Sequence, residues 1–319
     1  MGRYIVRRLV YSIFTLFFVT IVVFTLLRVV APLFIGDVVD LMVAEYAQND
    51  HELAENLRTQ YGMNQNVVVQ YAKWAGGMLG GDFGKSLYSG RPVLRELLYR
   101  APVSLELSLV AISTSLLVAV PMGILAAVRQ NRWPDYVLRI YAIGANSFPS
   151  FWIAITVITL TSLWFNWSPP VNFRSLFADP VQHLKIMALP ALLIALTPSG
   201  GMLRIMRSQM LEVLRQDYVR TARAKGLRER TVILRHAVRN AILPVVTIVG
   251  LSLPALLAGT ALFEIIFVLP GIGRYLVTSV NLLDYPVIQS INVVFAIIII
   301  FANLGVDVLY SFIDPRIRY

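Results

Sequence analysis

The sequence lacks cysteine altogether and holds few histidines and few charged residues. Without cysteine, disulfide frameworks, thiolate metal sites and cysteine nucleophiles are excluded. The three histidines, His51, His183 and His236, lie far apart and form no His-Glu-x-x-His pattern, so we expect no metal site built on them. Charged residues make up 14% of the 319, against roughly 25% in soluble globular domains. A soluble enzyme is therefore nearly excluded.

Long hydrophobic runs take the place of the missing charge, since 57% of the residues are hydrophobic. A helix needs about 20 apolar residues to cross about 30 Å of hydrocarbon, and six uncharged runs reach or approach that length. The alternating pattern of a membrane β-barrel is absent. The predicted fold class is therefore all-α, a polytopic membrane protein forming a single membrane domain over residues 1–319. The predicted spans cover about residues 9–30, 103–128, 138–165, 186–204, 240–263 and 285–308.

The third run is longer than one crossing and contains Asn146-Ser147-Phe148-Pro149-Ser150. Proline interrupts a helix, and tryptophan favours the membrane interface. We interpret the run as one span with a break at Pro149, followed by an interfacial stretch at 164–167. Two shorter spans are the alternative, and they would reverse the orientation of everything that follows.

The distribution of positive charge predicts the orientation of the chain. Segment 204–239 holds ten Lys and Arg against three Asp and Glu, whereas loop 31–101 holds six against eight. Basic segments stay on the cytoplasmic side. With six spans, both termini and segment 204–239 are predicted to be cytoplasmic, and loop 31–101 extracytoplasmic.

The basic segment 204–239 has the pattern of two helices joined at a glycine. Residues 208–227 favour a helix, and Gly226 is suited to end it in the left-handed conformation. A second basic stretch, 228–239, then leads towards the fifth span, where Pro244 lies. A basic helix resting on anionic lipid is the alternative interpretation. We expect no nucleic acid partner, because no nucleic-acid-binding fold surrounds these residues.

At this point the chain resembles a known family. Residues 220–227, Arg-Thr-Ala-Arg-Ala-Lys-Gly-Leu, and 235–244, Arg-His-Ala-Val-Arg-Asn-Ala-Ile-Leu-Pro, are similar to the inner-loop motif of bacterial ABC importer permeases. The best match is the first permease subunit of the dipeptide/oligopeptide/nickel branch, although Arg-Thr-Ala replaces the Glu-Ala-Ala of the wider superfamily. Further motifs agree in order, at residues 81–86, 91–93, 147–152, 264–273, 284–286 and 314–318.

The resemblance implies a type I permease fold of six transmembrane helices with a cytoplasmic coupling helix that docks on an ATPase subunit. It would place Thr221, Ala222, Ala224 and Gly226 at the docking surface. The residues it assigns to ATPase coupling are Tyr218, Arg220, Thr221, Ala222, Arg223, Ala224, Lys225, Gly226 and Leu227.

The same resemblance implies the partners and the substrate class. The partners would be two ABC ATPase subunits, a paralogous second permease forming a heterodimer, and an extracytoplasmic solute-binding protein, all at a bacterial inner membrane. The solute would be a di- or oligopeptide, with nickel or another small solute as the alternative.

The chain itself is predicted to carry no catalytic residue, cofactor or metal. Gly84-Lys85-Ser86 imitates the end of a P-loop, but Leu79 stands where the motif needs glycine. Residues proposed to line a pathway or gate are Asn146, Ser147, Pro149, Pro254 and Glu264. Glu264 lies near a span end, where structural pairing is favoured over ion coupling. A secondary transporter or an intramembrane enzyme is the alternative from a different class.

Overall fold

The computed structural model describes residues 2–36, 55, 58–59 and 64–313. Within these residues the regular structure is helical, and the one isolated β-bridge joins Lys85 to Pro92. The all-α fold class is confirmed. Two predicted features lie wholly or partly outside the described residues. They are the part of the outer loop between 37 and 63, of which three residues are described, and the motif at 314–318.

The helices take most of the described chain, with π-helical turns at Leu26–Val30 and Val232–Ala237. In chain order the helices are α1 Gly2–Thr25, α2 Ala31–Ile35, α3 Val67–Leu79, α4 Val93–Val128, α5 Trp133–Ser147, α6 Ser150–Phe165, α7 Pro180–Val213, α8 Asp217–Ala224, α9 Glu229–Thr231, α10 Val238–Ala241, α11 Leu243–Ile266, α12 Ile272–Asn281 and α13 Tyr285–Ile313.

By length and composition, four helical stretches of the described residues could each cross a bilayer: Val6–Phe34, Val93–Val128, Pro180–Val213 and Tyr285–Gly305. Two bent helix pairs raise the number to six if each pair forms one span. The limits of the spans and their sidedness remain predictions.

The break predicted at Pro149 is present. α5 and α6 meet there at 94°. Proline has no N–H to donate and disfavours helical backbone at the residue before it, and Phe148 is extended with φ −122° and ψ 142°. α6 ends at Asn166, which adopts left-handed backbone at φ 48°. That the pair makes one crossing remains a prediction.

The helix predicted over 208–227 is not continuous, because a turn at 214–216 divides it. Helix α7 continues to Val213, the chain turns over 214–216, and α8 begins at Asp217. No glycine or proline marks this turn. Val213 and Leu214 instead fold back to pack against the buried Val219 and Val232, so tertiary apolar contact sets the break.

The described residues group into two compact units. One comprises those of Met1–Arg100 and Tyr275–Phe301, the other those of Ala101–Arg274 and Ala302–Arg318. In the second unit the fully buried Leu203 and Met206 of α7 lie in the core. Gly123 allows α4 to approach α7 closely, because a Cβ at this position would lie 2.7 Å from Met206 Cβ.

The first unit is held by aromatic packing and by a buried carboxylate. Phe24 of α1 contacts the rings of Tyr71 and Trp74 on α3, with centroid separations of 5.4 and 5.5 Å. Asp284, just before α13, accepts hydrogen bonds from Ser86 Oγ at 2.6 Å and from the backbone N–H of Leu87 at 3.1 Å. The turn that carries Ser86 is thereby fixed against the start of α13.

Candidate coupling element and pathway cavity

Helix α8 is a short amphipathic element held on the protein by its apolar side. Val219 and Ala222 of α8 are 0% and 6% exposed and pack with the fully buried Val232. Ala222 was predicted at a docking surface, but it faces this cluster. Its small side chain supports the element from within.

Gly226 ends the element as predicted, with backbone φ of +74°. Its N–H donates to the carbonyl of Arg223 at 2.9 Å, and the N–H of Lys225 donates to the carbonyl of Thr221 at 3.0 Å. Apart from its two chain neighbours, no described residue has an atom within 4 Å of the position where a Cβ would stand. Glycine is therefore favoured here for its left-handed backbone, and the space above it is open.

An ion pair braces the turn across Gly226. Arg223 Nη2 lies 2.8 Å from Glu229 Oε1, and Nε lies 3.2 Å from Oε2. This two-pronged hydrogen bond holds the pKa of the Glu229 carboxyl below its ordinary 4.5, and raises the pKa of Arg223. A charged contact thus links α8 to α9 on the exposed side of the turn.

A second tie joins α8 to the helix that continues into the membrane. Asn240 Nδ2 donates to the hydroxyl of Tyr218 at 2.7 Å. Asn240 lies in α10, which leads into α11 with a bend of 43° before Pro244. The hydrogen bond therefore links α8 to α10, four residues before Pro244 of α11.

The outward side of the element carries most of the predicted coupling residues. Tyr218 and Leu227 are 43% and 41% exposed. Arg220, Thr221, Arg223, Ala224, Lys225 and Gly226 are exposed as well. Small side chains surrounded by basic ones suit the close approach of a helix to an acidic or polar groove.

The second unit contains a cavity of about 570 Å³ beside the bend between α5 and α6. Its walls come from α7 and α11 as well, and its polar lining consists of Asn146, Ser150, Thr197 and Ser252. No ionisable side chain is among its described lining residues. Ser150 and Ser252 were missed from the sequence because a serine in an apolar run gives no local signal of its role.

Of the residues proposed to line a pathway, some line this cavity and others do not. Asn146 lines it, whereas Ser147 and Pro149 do not belong to its described lining. Ser147 instead donates to the carbonyl of Ile143 at 2.8 Å. Pro254 falls in α11, but its side chain lies outside the described part of the structure.

Glu264 does not belong to the described lining of the cavity, and its hydrogen bonds give it a structural role. It is fully buried, and its Oε1 accepts from Ser104 Oγ at 2.6 Å while Oε2 accepts from the N–H of Arg274 at 2.8 Å. Ser104 Oγ in turn accepts from the N–H of Ile272 at 2.8 Å. Glu264 therefore fixes the first turn of α12 to α4 and α11.

Two family models together match nearly all of the chain. The binding-protein-dependent transport system inner membrane component matches residues 119–319, and the N-terminal part of a binding-protein-dependent transport system membrane component matches residues 1–108. The junction between them falls inside α4.

Curated relatives match over the full length. The oligopeptide transport system permease protein AppB of Bacillus subtilis (strain 168) is 38% identical over 326 residues, covering 100% of both chains. The glutathione transport system permease protein GsiC of Escherichia coli (strain K12) is 38% identical over 319 residues with the same coverage.

A solved structure shares the fold. The MetNI methionine ABC transporter, in an inward-facing conformation, matches with a TM-score of 0.50 at 13% identity, covering 68% of this chain and 96% of that one. The chain therefore belongs to the family of binding-protein-dependent transport system inner membrane components, as a multi-pass permease subunit of an ABC importer that works with ATPase and binding-protein partners.

Proposed function

We propose that this chain pairs with a paralogous second permease to import di- or oligopeptides across a bacterial inner membrane. The full-length similarity to permeases named for oligopeptide and glutathione transport supports this substrate class. The cavity of the second unit supports it too, because its amide and hydroxyl groups suit the neutral amides of a peptide backbone.

The observation that carries the coupling role is the braced turn at Gly226. Helix α8 presents small and basic residues outward, and it is tied to α10 through Tyr218 and Asn240. In our proposal both termini and α8 lie on the cytoplasmic side, where two ATPase subunits dock. Closure of these subunits around ATP displaces α8.

The displaced α8 moves α7 and α11, two of the helices that line the cavity. α11 continues from α10, and α7 ends only three residues before α8 begins. Because both helices contribute cavity walls, their tilt opens the cavity to one side of the membrane or the other. A solute-binding protein delivers the peptide from outside.

The assembly is tested by solubilising the tagged chain from its native host. A second permease and two P-loop ATPases should co-purify with it. If no ATPase is recovered even after chemical crosslinking, α8 is a lipid-facing surface and the proposal fails.

The coupling role is tested with Gly226→Trp in the reconstituted importer. A tryptophan at the open face of the turn should block docking, so uptake of tri-alanine should fall at least tenfold relative to ATP hydrolysis. Two controls separate bulk from backbone strain. Gly90→Trp also places a bulky residue at a glycine with positive φ and open surroundings, and Gly226→Asn keeps a residue that tolerates left-handed backbone. Both should transport near the wild-type rate; coupled transport by Gly226→Trp would contradict the assignment.

A further inference from the structure

The first unit contains a cavity of its own, of about 420 Å³. Its lining comes from α1 and the π-helical turn after it, from α3, from the turn over 82–85 and from the start of α13, together with Thr59 and Gln65. This volume lies within the 300–1,000 Å³ typical of small-molecule sites. No motif of the sequence predicts the cavity, because its lining residues come from segments that are far apart along the chain.

Two buried hydrogen-bond donors line this cavity without an acceptor among the described residues. Gln289 of α13 is 1% exposed, and among the described residues its Nε2 has no hydrogen-bond partner. The indole Nε1 of Trp74 on α3 is likewise buried with no partner in the described structure. Buried donors are nearly always satisfied in folded proteins, so each calls for an acceptor beyond those that the described residues supply.

The Trp74 donor is held in position by ring packing. The Trp74 ring lies 5.5 Å from that of Phe24 and 6.0 Å from that of Tyr71. The Tyr71 hydroxyl is in turn 2.9 Å from Thr20 Oγ1, which fixes α3 against α1. A rigid donor of this kind favours binding, because little side-chain entropy is lost when the acceptor arrives.

Positive charge dominates the lining. Arg28, Lys73 and Lys85 contribute three cationic side chains, and Asp82 contributes one carboxylate. Asp82 is already engaged in its own turn, where Oδ1 accepts from the N–H of Gly84 at 2.9 Å. Lys73 and Lys85 are exposed, whereas Gln289 is buried. The two lysine charges therefore lie near solvent, and the neutral amide donor of Gln289 is shielded from solvent.

We propose that this cavity binds the carboxylate of a small solute, and the proposed function makes that solute a peptide held by its C-terminal carboxylate. An ionised carboxylate offers only acceptors, which is the complement of an indole N–H, an amide N–H and three cations. The three basic side chains would repel a cationic ligand. An apolar ligand would leave the Trp74 and Gln289 donors without an acceptor. The site lies in the first unit, and the cavity beside α7 lies in the second.

The test is calorimetric titration of the complete importer, in nanodiscs without ATP or binding protein, with tri-alanine as the probe. The free acid should bind at least tenfold more tightly than the C-terminal amide, and added salt should weaken the acid only. Gln289→Leu and Trp74→Phe, which remove the two donors while keeping most of the side-chain volume, should each weaken the acid about tenfold.

Lys185→Gln is the matched control, since Lys185 is an exposed lysine in the second unit, outside the described lining of the cavity. It should leave the affinity unchanged. The melting temperature of the empty complex should be unchanged or raised by Gln289→Leu, which separates lost binding from lost folding.

Equal affinity for acid and amide, no measurable binding, or unchanged affinity in Gln289→Leu would overturn the carboxylate site. Such a result leaves the proposed function standing if the ATPases co-purify and tri-alanine is imported. Loss of the ATPases would instead overturn the proposed function itself.

Discussion

Asp135 at the start of α5 and Arg207 in the last turns of α7 form a two-pronged ion pair. Arg207 Nε lies 2.6 Å from Asp135 Oδ1, and Nη2 lies 2.8 Å from Oδ2. Asp135 is fully buried, and 19% of the Arg207 side chain is exposed. The N–H of Asn131 also donates to Oδ2 at 3.0 Å, so the carboxylate both closes the α4–α5 turn and joins that turn to α7.

Asp135→Asn should destabilise the subunit strongly, because Arg207 is left as a partly buried cation without its counter-charge. The loss of one partner of a buried ion pair costs about 3–5 kcal/mol. Thermal unfolding of the complex in nanodiscs measures the effect. The exposed pair of Asp217 and Arg220, 3.6 Å apart, provides the control, and Asp217→Asn should not change the melting temperature. Equal melting temperatures for both variants would show that the buried pair is dispensable.

Gly271→Ala should destabilise the start of α12. A Cβ at this position would overlap the carboxyl group of Glu264, so the added methyl group costs about 1–3 kcal/mol by overpacking. Gly144→Ala is the matched control, since no atom lies within 4 Å of a Cβ there and alanine favours the helix by about 0.5–1 kcal/mol. In a Glu264→Ala background the cost of Gly271→Ala should shrink; an undiminished cost would locate the clash elsewhere.

The turn at Gly226 should loosen in acid. Because Arg223 lowers the pKa of Glu229 below its ordinary 4.5, the stabilisation is complete above that value and is lost as the pH falls through the lower folded pKa. Hydrogen exchange of the amides in 223–229 should therefore be unchanged from pH 7 to pH 5, after correction for intrinsic rates, and faster than the trend below about pH 4. Glu229→Gln should show the faster exchange at every pH. A wild-type profile that matches Glu229→Gln at pH 7 would remove the brace from the mechanism.

Thr197→Val should separate stability from transport. Thr197 lines the cavity of the second unit, and among the described residues its buried Oγ1 has no hydrogen-bond partner. Replacing an unsatisfied hydroxyl by a methyl group of the same shape should stabilise the subunit by about 1 kcal/mol. Peptide uptake should fall if the hydroxyl serves the passing solute.

Thr247→Val is the comparison for this variant, because Thr247 Oγ1 already donates to the carbonyl of Leu243 at 3.2 Å. That variant should gain no stability. A Thr197→Val importer with full uptake would show that the hydroxyl has no part in transport.

The sequence predicts those features that local chemistry determines. Apolar runs set the spanning helices, Pro149 sets the bend between α5 and α6, and Gly226 sets the left-handed end of the coupling element. Each depends on the residue itself, through the hydrophobic effect or through restricted backbone angles.

Features that depend on distant contacts could not be predicted. The turn over 214–216 forms because Val213 and Leu214 pack against Val232, which lies about twenty residues ahead and gives no local sign. Ala222 fits a docking surface by size, but only the fold shows that it faces inward. The cavity of the first unit likewise forms only when distant segments of the chain come together, so its two unsatisfied donors could not be recognised from the sequence.

Because α7 is one continuous helix, the distance along it from the cavity to its C-terminal end is short. Ile205 lines the cavity and Val213 ends the helix, so eight residues, or about 12 Å of helix, separate the passage from the turn that leads to α8. In our proposal a displacement of α8 therefore has only this short stretch of continuous helix, beyond the turn over 214–216, to cross before it reaches the cavity wall.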